Sequence, residues 1–137
     1  MSFAPYLNFD GNCREAMTFY AGVFGAADLQ FMDGSAVPPD SGAGDMTDRV
    51  MHSQFTAGPG APLMASDLPK GMAPQGRQLT VFHAANSVAA ARGIFDALAA
   101  GGEVQFPFGP TFWSAAFGGV VDKFGTSWMI TVAPGAV

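Results

Sequence analysis

The chain presents one order of hydrophobic patterns twice, strand–helix–strand–strand–strand, at an offset of about 75 residues. The two copies have little sequence similarity, so what repeats is the order of the hydrophobic patterns. Self-similarity of this kind indicates duplication of one supersecondary unit. It predicts an α+β fold in which two modules, about residues 1–68 and 76–137, form a single domain over 1–137. A chain of 137 residues suits one compact domain.

An amphipathic helix is predicted near the start of each half. In the first half, Asn12 is a suitable N-cap, Glu15 occupies the N3 position of a capping box, and Gly25 ends the helix. In the second half, Asn86-Ser87 supplies the cap and Gly101-Gly102 the end. Apolar residues at i, i+3, i+4, i+7 and i+8 define one face of the first helix. They are Ala16, Phe19, Tyr20, Val23 and Phe24.

Alternating or continuous apolar runs predict eight strands. In order, they cover residues 4–9, 27–32, 49–57, 62–66, 78–84, 103–106, 112–121 and 126–132. Residues 33–47, which are rich in Gly, Pro, Ser and Asp, predict a long loop of the kind that forms a lid. The last hairpin turns at Asp122, whose side chain is expected to bind nearby backbone N–H groups.

Charge and composition argue against several classes of function. The net charge is −5, and the six Lys and Arg residues are scattered, whereas phosphate binding needs clustered cations. We therefore expect no nucleic-acid partner and no anionic membrane surface. The start of the chain shows no signal-peptide pattern, and no apolar run reaches membrane-spanning length. The expected location is cytoplasmic.

Two long segments, with short motifs between them, resemble one known family. The segments are residues 6–25 (YLNFDGNCREAMTFYAGVFG) and 111–132 (TFWSAAFGGVVDKFGTSWMITV), and Met64-Ala65-Ser66-Asp67 lies between them. Together and in this order they resemble the PhnB-like branch of the vicinal oxygen chelate superfamily, which also holds glyoxalases and bleomycin-resistance proteins. The resemblance implies two βαβββ modules with mixed, mainly antiparallel curled sheets that form a cleft. It also implies a homodimer.

Some PhnB-like sequences carry a methyltransferase label. A methyltransferase that uses S-adenosylmethionine would normally show a Gly-rich strand-to-helix turn and a following acidic ribose ligand, within an alternating βα pattern. No such unit can be drawn on this chain. We therefore expect no cofactor of this kind.

The superfamily's enzymes usually chelate a divalent metal through His, Glu or Gln on the first and last strands of each module. By module order, those places fall near Ala4, Ala65, Leu79 or Thr80, and Met129. Ala, Leu and Met are not ligands for such cations, and Thr is a poor one. Slipping the register by one residue brings in Ser66 at best. The resemblance thus predicts no metal site here.

His52 and Cys13 are the candidates for catalytic chemistry. His52 lies in the strand 49–57 and shares a mostly polar face with Gln54. It is either a hydrogen-bonded strand histidine or a cleft residue that acts as donor, acceptor or general base. Cys13 is either a thiol whose pKa the helix N-terminus lowers or a small, half-buried apolar residue. His83 is expected to face solvent.

A ligand pocket is the alternative to catalysis. The predicted ligand-binding residues are Asn8, His52, Ser66, Asp67, Phe112, Trp113, Phe117 and Met129. The aromatic members would wall the cleft, while Asn8, His52 and Trp113 Nε1 would orient a planar or hydrophobic molecule. Ordinary core or dimer packing is the other explanation of these aromatics. Asp67 is either the cap of the following loop or a polar group at the cleft mouth.

The leading functional hypothesis is a cytoplasmic homodimer that binds a small hydrophobic or planar molecule in an aromatic cleft without a metal. One alternative is a glyoxalase-type isomerase or lyase, or another small-molecule enzyme that uses His52 as its candidate catalytic residue. A second alternative is a structural dimer module with a vestigial cleft.

Overall fold

The computed structural model describes residues 3–36, 44–72, 74 and 79–137. The chain divides into two compact units, Met1–Gly76 and Arg77–Val137. Each unit packs one α-helix on one four-stranded mixed sheet, in the order β-α-β-β-β. The predicted α+β fold with a repeated element order is confirmed. No helix in the described part of the chain has both the length and the apolar character needed to cross a membrane.

The elements of the first unit follow the predicted order. Its strands and helices are β1 Tyr6–Phe9, α1 Cys13–Phe24, β2 Gln30–Asp33, a 3-10 helix at Gly34–Ala36, β3 Val50–Phe55 and β4 Leu63–Asp67. The strand order is β1-β4-β3-β2, parallel between β1 and β4 and antiparallel elsewhere. The predicted lid therefore begins inside β2 and continues as a 3-10 turn, and its residues 37–43 lie outside the described residues.

Helix α1 covers one face of the first sheet. Its buried residues are Cys13, Ala16, Met17, Tyr20 and Ala21. On the sheet, residues of alternating position are buried beneath the helix, among them Phe9, Ser53, Phe55 and Ala65. Burying each large apolar side chain contributes roughly 1.5–3 kcal/mol relative to leaving it exposed. Gly25 ends the helix as predicted, in the left-handed conformation at φ 67°.

The second unit repeats this architecture. Its elements are β5 Val81–Ala85, α2 Val88–Ala99, β6 Glu103–Gly109, β7 Phe117–Val121 and β8 Ser127–Val132. The strand order β5-β8-β7-β6 again pairs the first and last strands in parallel. Helix α2 buries Ala91, Phe95 and Leu98.

The two helices begin in different ways. Ser87 caps α2 as predicted, because its hydroxyl oxygen accepts a hydrogen bond from the Ala90 N–H at 3.1 Å. Asn12 is the N-cap residue of α1 as predicted, but its side chain makes no capping hydrogen bond. Asp67, which ends β4, supplies a carboxylate instead, and its Oδ1 accepts from the N–H groups of Gly11 and Cys13.

The strand predicted over 112–121 is wrong in its first five residues, because β7 begins at Phe117. Residues 110–116 connect β6 to β7. Within this connection the Thr111 hydroxyl oxygen accepts from the N–H groups of Trp113 and Ser114 at 3.3 and 3.1 Å. Local side-chain bonds of this kind replace the ladder bonds that a strand would need. Strand β6 extends three residues beyond its predicted end and passes Pro107, where the register shifts on an edge strand.

Consecutive glycines in β7 admit large side chains on both faces of the second sheet. A Cβ on Gly118 would lie 2.6 Å from Phe95 Cε2 of α2, and a Cβ on Gly119 would lie 2.7 Å from Phe106 Cδ2 of β6. Because neighbouring strand residues point to opposite faces, Phe95 and Phe106 pack on opposite sides of the sheet. Gly118 thus allows α2 to approach the sheet, and Gly119 leaves space for the Phe106 ring on the other side.

Candidate functional site

The face of the second sheet that points away from α2, hereafter its distal face, is aromatic. Phe117 and Gly119 lie on it, since Gly118 between them faces the helix. Strand register adds Met129, which pairs with Gly119, and Phe82, which pairs with Met129. Phe82 and Phe106 are 63% and 56% exposed. The distal face therefore presents a large apolar surface outside the core.

The predicted aromatic residues join this surface as a chain of ring contacts. Phe106 lies 6.2 Å from Phe117 between ring centroids, and Trp113 lies 5.6 Å from Phe117 with an edge-to-face geometry. Phe112 makes a second edge-to-face contact with Trp113 at 4.7 Å. Such pairs are worth about 0.5–1.5 kcal/mol beyond their buried area. Of the predicted aromatic wall, Phe112, Trp113 and Phe117 thus form one cluster, with Met129 on the same face.

Hydrogen bonds hold the connection that carries Trp113. The Ser114 hydroxyl lies 2.7 Å from the Ala116 carbonyl oxygen and 2.8 Å from Thr131 Oγ1 of β8. The Thr111 N–H donates to the Ser114 carbonyl at 3.0 Å. These bonds tie the connection to the sheet, so the indole ring of Trp113 is positioned although it is 60% exposed.

The distal face of the first sheet, the face away from α1, is polar. Asn8 pairs with Ser66 across β1 and β4, and Met32 of β2 pairs with His52 of β3. Since Ser53 pairs with Ala65, His52 and Ser66 are also neighbours across the sheet. The structure therefore brings together the three polar residues that the sequence predicted, Asn8, His52 and Ser66.

His52 is held by hydrogen bonds on both sides of its ring. Nδ1 lies 3.0 Å from the Tyr6 hydroxyl, and Nε2 lies 2.9 Å from Gln54 Oε1. The Tyr6 and His52 rings are 5.7 Å apart between centroids. Both ring nitrogens already have a hydrogen-bond partner. A general-base role would therefore require one of these partners to leave. The geometry matches a hydrogen-bonded strand histidine whose surroundings are polar.

Asp67 occupies the opposite, helix-facing side of the first sheet. It is only 3% exposed, and its Oδ2 accepts from the Val50 N–H at 2.9 Å while its Oδ1 binds the start of α1. Both oxygens are therefore committed to backbone N–H groups. This gives Asp67 a structural role at the junction of β1, α1, β3 and β4, which differs from both predicted alternatives, a cap of the following loop and a polar group at the cleft mouth.

A cavity of about 410 Å³ lies at this end of the first unit. Charged and small residues line it, namely Gly11, Arg14, Asp33, Gly34, Ser35, Asp48, Arg49, Val50 and Asp67. Its two arginines already have partners, because Arg14 pairs with Asp33 and Arg49 with Asp10 at 2.8 Å. Asp67 is the one predicted ligand residue in its wall, and its oxygens are also occupied. The cavity is thus a polar space bordered by paired charges and lacks the predicted aromatic wall.

The side chains of the two distal faces do not fit the superfamily's metal site. Ala65 faces α1, so the positions that β4 presents on the distal face are Met64 and Ser66. In the second unit the corresponding positions include Phe82 and Met129. None of these is a His, Glu or Gln ligand. Within the described residues, no three His, Cys, Asp or Glu side chains come close enough together to hold a metal ion.

Cys13 is buried and unsuited to nucleophilic chemistry. Burial raises the pKa of its thiol to about 11, although a hydrogen bond with Ser53 Oγ at 3.4 Å opposes the shift. The interpretation of Cys13 as a thiol whose pKa is lowered is therefore wrong. Desolvation of the thiolate outweighs the helix N-terminus, whose nearest N–H groups bind Asp67.

His83 is half-buried on the helix side of the second sheet, where it pairs with Ile130, so the expectation of a solvent-facing residue is wrong. Burial lowers its pKa from the usual value. Sequence reasoning grouped Gln54 with His52 but missed three other residues of the distal faces, which are Tyr6, Phe82 and Phe106. Period-2 alternation places Gln54 beside His52 and Phe82 opposite His83, but strand pairing is needed to bring Tyr6 and Phe106 to their neighbours.

The two βαβββ units define a glyoxalase/bleomycin-resistance-like α+β fold. A glyoxalase-related enzyme from Fulvimarina pelagi shares this fold, with a TM-score of 0.60 at 18% identity over 98% of this chain and 88% of that one. Residues 1–131 match the protein family described as 3-demethylubiquinone-9 3-methyltransferase, and the chain belongs to this PhnB-like family.

Three relatives support this membership across nearly the whole chain. Protein YjdN of Escherichia coli (strain K12) is 32% identical over 142 residues, which cover 96% of this chain and 95% of the relative. Protein PA1353 from Pseudomonas aeruginosa has a TM-score of 0.83 at 38% identity, with 96% and 97% of the two chains covered. A PhnB protein from Bacillus cereus has a TM-score of 0.72 at 25% identity, with 97% and 100% covered.

The helix N-termini of this chain do not fit the S-adenosylmethionine that the family's description implies. The turn into α1 contains Gly11, but the N–H groups there bind the Asp67 carboxylate. The turn into α2 is capped by Ser87. Neither unit contains the alternating βα order that forms such a cofactor site, because three strands follow each helix.

Proposed function

We propose that this protein binds a small planar or hydrophobic molecule on the aromatic distal face of its second sheet, without a metal. The protein would sequester its ligand rather than transform it. We also propose that it acts as a cytoplasmic homodimer in which residues 1–137 form one domain. The observation that carries the proposal is the exposed cluster of Phe106, Trp113 and Phe117, built on a glycine strand and held by a hydrogen-bonded connection.

The contacts of this cluster support binding rather than simple packing. Large apolar side chains that lie exposed on one face, such as Phe82, Phe106 and Trp113, are typical of an interaction site. Trp113 Nε1 has no acceptor among the residues that the structure describes, whereas Trp128 Nε1 donates to Asp122 Oδ2 at 2.8 Å inside the core. Trp113 therefore offers both an apolar surface and a donor that can orient a ligand.

Catalysis by His52 is less well supported than binding. Its two ring nitrogens are engaged by Tyr6 and Gln54, and no carboxylate contacts the ring among the described residues. A glyoxalase-type isomerase or lyase would also need metal ligands at the superfamily's positions, where the distal faces present Met64, Ser66, Phe82 and Met129. If His52→Ala abolished turnover of a substrate while the fold stayed intact, the hypothesis of an enzyme that uses His52 would replace this proposal.

Fluorescence titration with N-phenyl-1-naphthylamine tests the proposal, because this uncharged planar dye emits strongly in apolar surroundings. We expect saturable binding with energy transfer from tryptophan. Trp113→Ala should weaken the affinity at least about tenfold, which corresponds to 1.4 kcal/mol. Phe106→Ala should weaken it less. Phe3→Ala is the control, since Phe3 is also an exposed aromatic residue but lies in the first unit.

Sedimentation of the same variants separates ligand binding from dimer packing. If Trp113→Ala leaves dye binding unchanged and converts a dimer into a monomer, the aromatic surface is a protein interface and the proposal fails. If dye binding falls while the assembly state stays the same, the surface is a ligand site. If Trp113→Ala changes neither dye binding nor the assembly state, the proposal also fails.

A further inference from the structure

The polar network on the distal face of the first sheet has a defined pattern of donors and acceptors. Gln54 Oε1 is an acceptor, so His52 Nε2 carries the proton that joins them at 2.9 Å. In the neutral ring, Nδ1 then accepts from the Tyr6 hydroxyl at 3.0 Å. The Tyr6 oxygen keeps its lone pairs, and the Gln54 amide nitrogen keeps its two protons. The network therefore presents an acceptor and a donor on either side of one ring.

Among the described residues of the first unit, the neighbours of this network carry no formal charge. The neighbouring residues on the same face are Asn8, Gln30, Met32, Met64 and Ser66, as strand register shows. Asp67, the nearest carboxylate in β4, faces α1. The two arginines of the first unit pair with Asp33 and Asp10 beyond the strand ends. A charged ligand would lose its hydration here without gaining a counter-charge, which disfavours its binding.

We propose that this face recognises an uncharged amide-like group, in which a hydrogen-bond donor and an acceptor are adjacent, and that Tyr6 and Gln54 are the residues that determine this specificity. Tyr6 Oη would accept from the ligand N–H, and the Gln54 amide would donate to the ligand carbonyl oxygen. His52 is the positioning residue that connects them and fixes their orientation. The inference goes beyond the proposed function, because it assigns a polar recognition site to the first unit and names the class of molecule that this site takes.

Three one-ring probes of similar size test the charge requirement. These are benzamide, benzoate and benzylammonium, each added to the full chain labelled with ¹⁵N in its histidines. We expect benzamide to shift the His52 ring resonances in a saturable way and the two ions to shift them at least five times less per unit concentration. Equal or stronger binding of either ion would overturn the proposal. So would the absence of any benzamide-induced shift at His52.

Substitutions test the two specificity residues. Tyr6→Phe removes the acceptor and should weaken benzamide binding about fivefold or more. The ring ¹⁵N shifts should show that Nε2 keeps its proton toward Gln54 while Nδ1 loses its hydrogen-bond donor. Gln54→Glu should reverse the preference, so that benzylammonium binds more tightly than benzamide. The matched control is Tyr20→Phe, because Tyr20 is the chain's other tyrosine and is buried in α1.

The outcomes separate this inference from the proposed function. If the naphthylamine dye binds through Trp113 while Tyr6→Phe and Gln54→Glu leave benzamide binding unchanged, the inference fails and the proposed function stands. If the dye does not bind through Trp113 but benzamide binding depends on Tyr6, the proposed aromatic site fails and the polar site is retained. Unaltered binding of all three probes to Gln54→Glu would contradict the assigned role of Gln54.

Discussion

The two units share one architecture, yet their distal faces differ in chemistry. In the first sheet this face holds the hydrogen-bonded series Tyr6, His52 and Gln54, whereas in the second it holds the aromatic cluster of Phe106, Trp113 and Phe117. The helix-facing sides are alike in being buried. The difference teaches that the βαβββ frame is maintained by the helix side, while the distal side is available for a different recognition chemistry in each unit.

A second contrast concerns the buried aspartates. Asp67 in the first unit joins backbone groups from positions 11, 13 and 50, so its contacts are distant in sequence. Asp122 in the second unit accepts from the N–H groups of Phe124 and Thr126 and from Trp128 Nε1, all within six positions. The first unit thus depends on a long-range polar contact where the second depends on a local turn.

The largest predicted effect tests this contrast. Asp67→Ala leaves three N–H donors without their acceptor, two of them buried, and we expect it to lower the free energy of unfolding by roughly 3–5 kcal/mol. Asp122→Ala should cost less, about 2–3 kcal/mol, since water can reach the part-buried donors of its turn. Urea unfolding followed by circular dichroism measures both. A larger loss for Asp122→Ala than for Asp67→Ala would contradict the assignment of Asp67 as the long-range junction.

The paired glycines of β7 give the next largest difference. Gly118→Ala forces a Cβ against Phe95, which is 4% exposed in the core and cannot move freely. We expect a loss of about 1–3 kcal/mol from this overpacking. Gly119→Ala meets the Phe106 ring, which is exposed and can turn aside, so its effect on stability should be smaller. Gly119→Ala should instead weaken binding of the naphthylamine dye, and equal unfolding midpoints for the two variants would refute this distinction.

The helix caps predict a smaller effect. Ser87→Ala removes the acceptor of the Ala90 N–H and should destabilise the second unit by about 1 kcal/mol. Asn12→Ala should change stability little, because the Asn12 side chain makes no capping bond. Thermal unfolding of the two variants side by side provides the measurement. A loss for Asn12→Ala as large as that for Ser87→Ala would show that α1 is capped locally after all.

The smallest predicted effect is a dependence on pH. Burial lowers the pKa of His83 in the folded protein below its ordinary value of 6.5. The unfolded chain therefore binds more protons in this range, and stability should decline as pH falls from about 6.5 toward the folded pKa. His83→Gln should remove part of that decline, whereas His52→Gln, on the distal face of the first sheet, serves as the control. Identical stability–pH curves for wild type and His83→Gln would contradict the prediction.

Local patterns were sufficient to predict the features whose determinants are close in sequence. The order of the elements, the Ser87 cap and the Asp122 turn each depend on residues within a few positions of one another. The α1 cap could not be predicted in this way, since its carboxylate comes from Asp67, which is 54 positions from Cys13. The strand predicted through Trp113 was wrong because Thr111 binds the backbone of its own connection.

The candidate sites show the same division. Alternation along β3 correctly grouped His52 with Gln54, but its partner Tyr6 is 46 positions away and becomes visible only through the pairing of β1 with β4 and of β4 with β3. The aromatic residues at 112–117 were evident from the sequence. Phe106 joins their cluster only because Gly119, its partner across the strand pair, leaves space for its ring.

Methyl NMR of ¹³C-labelled methionine tests most directly the central claim that the distal face of the second sheet binds a planar molecule. Met129 lies on that face, while Met17 and Met46 are buried in the first unit and serve as internal references. Titration with N-phenyl-1-naphthylamine should shift the Met129 methyl resonance in a saturable way, with an upfield displacement from the stacked ring, and leave the two references in place. If the Met129 resonance stays unchanged while the dye binds, or shifts equally in Trp113→Ala, the aromatic surface is not the ligand site.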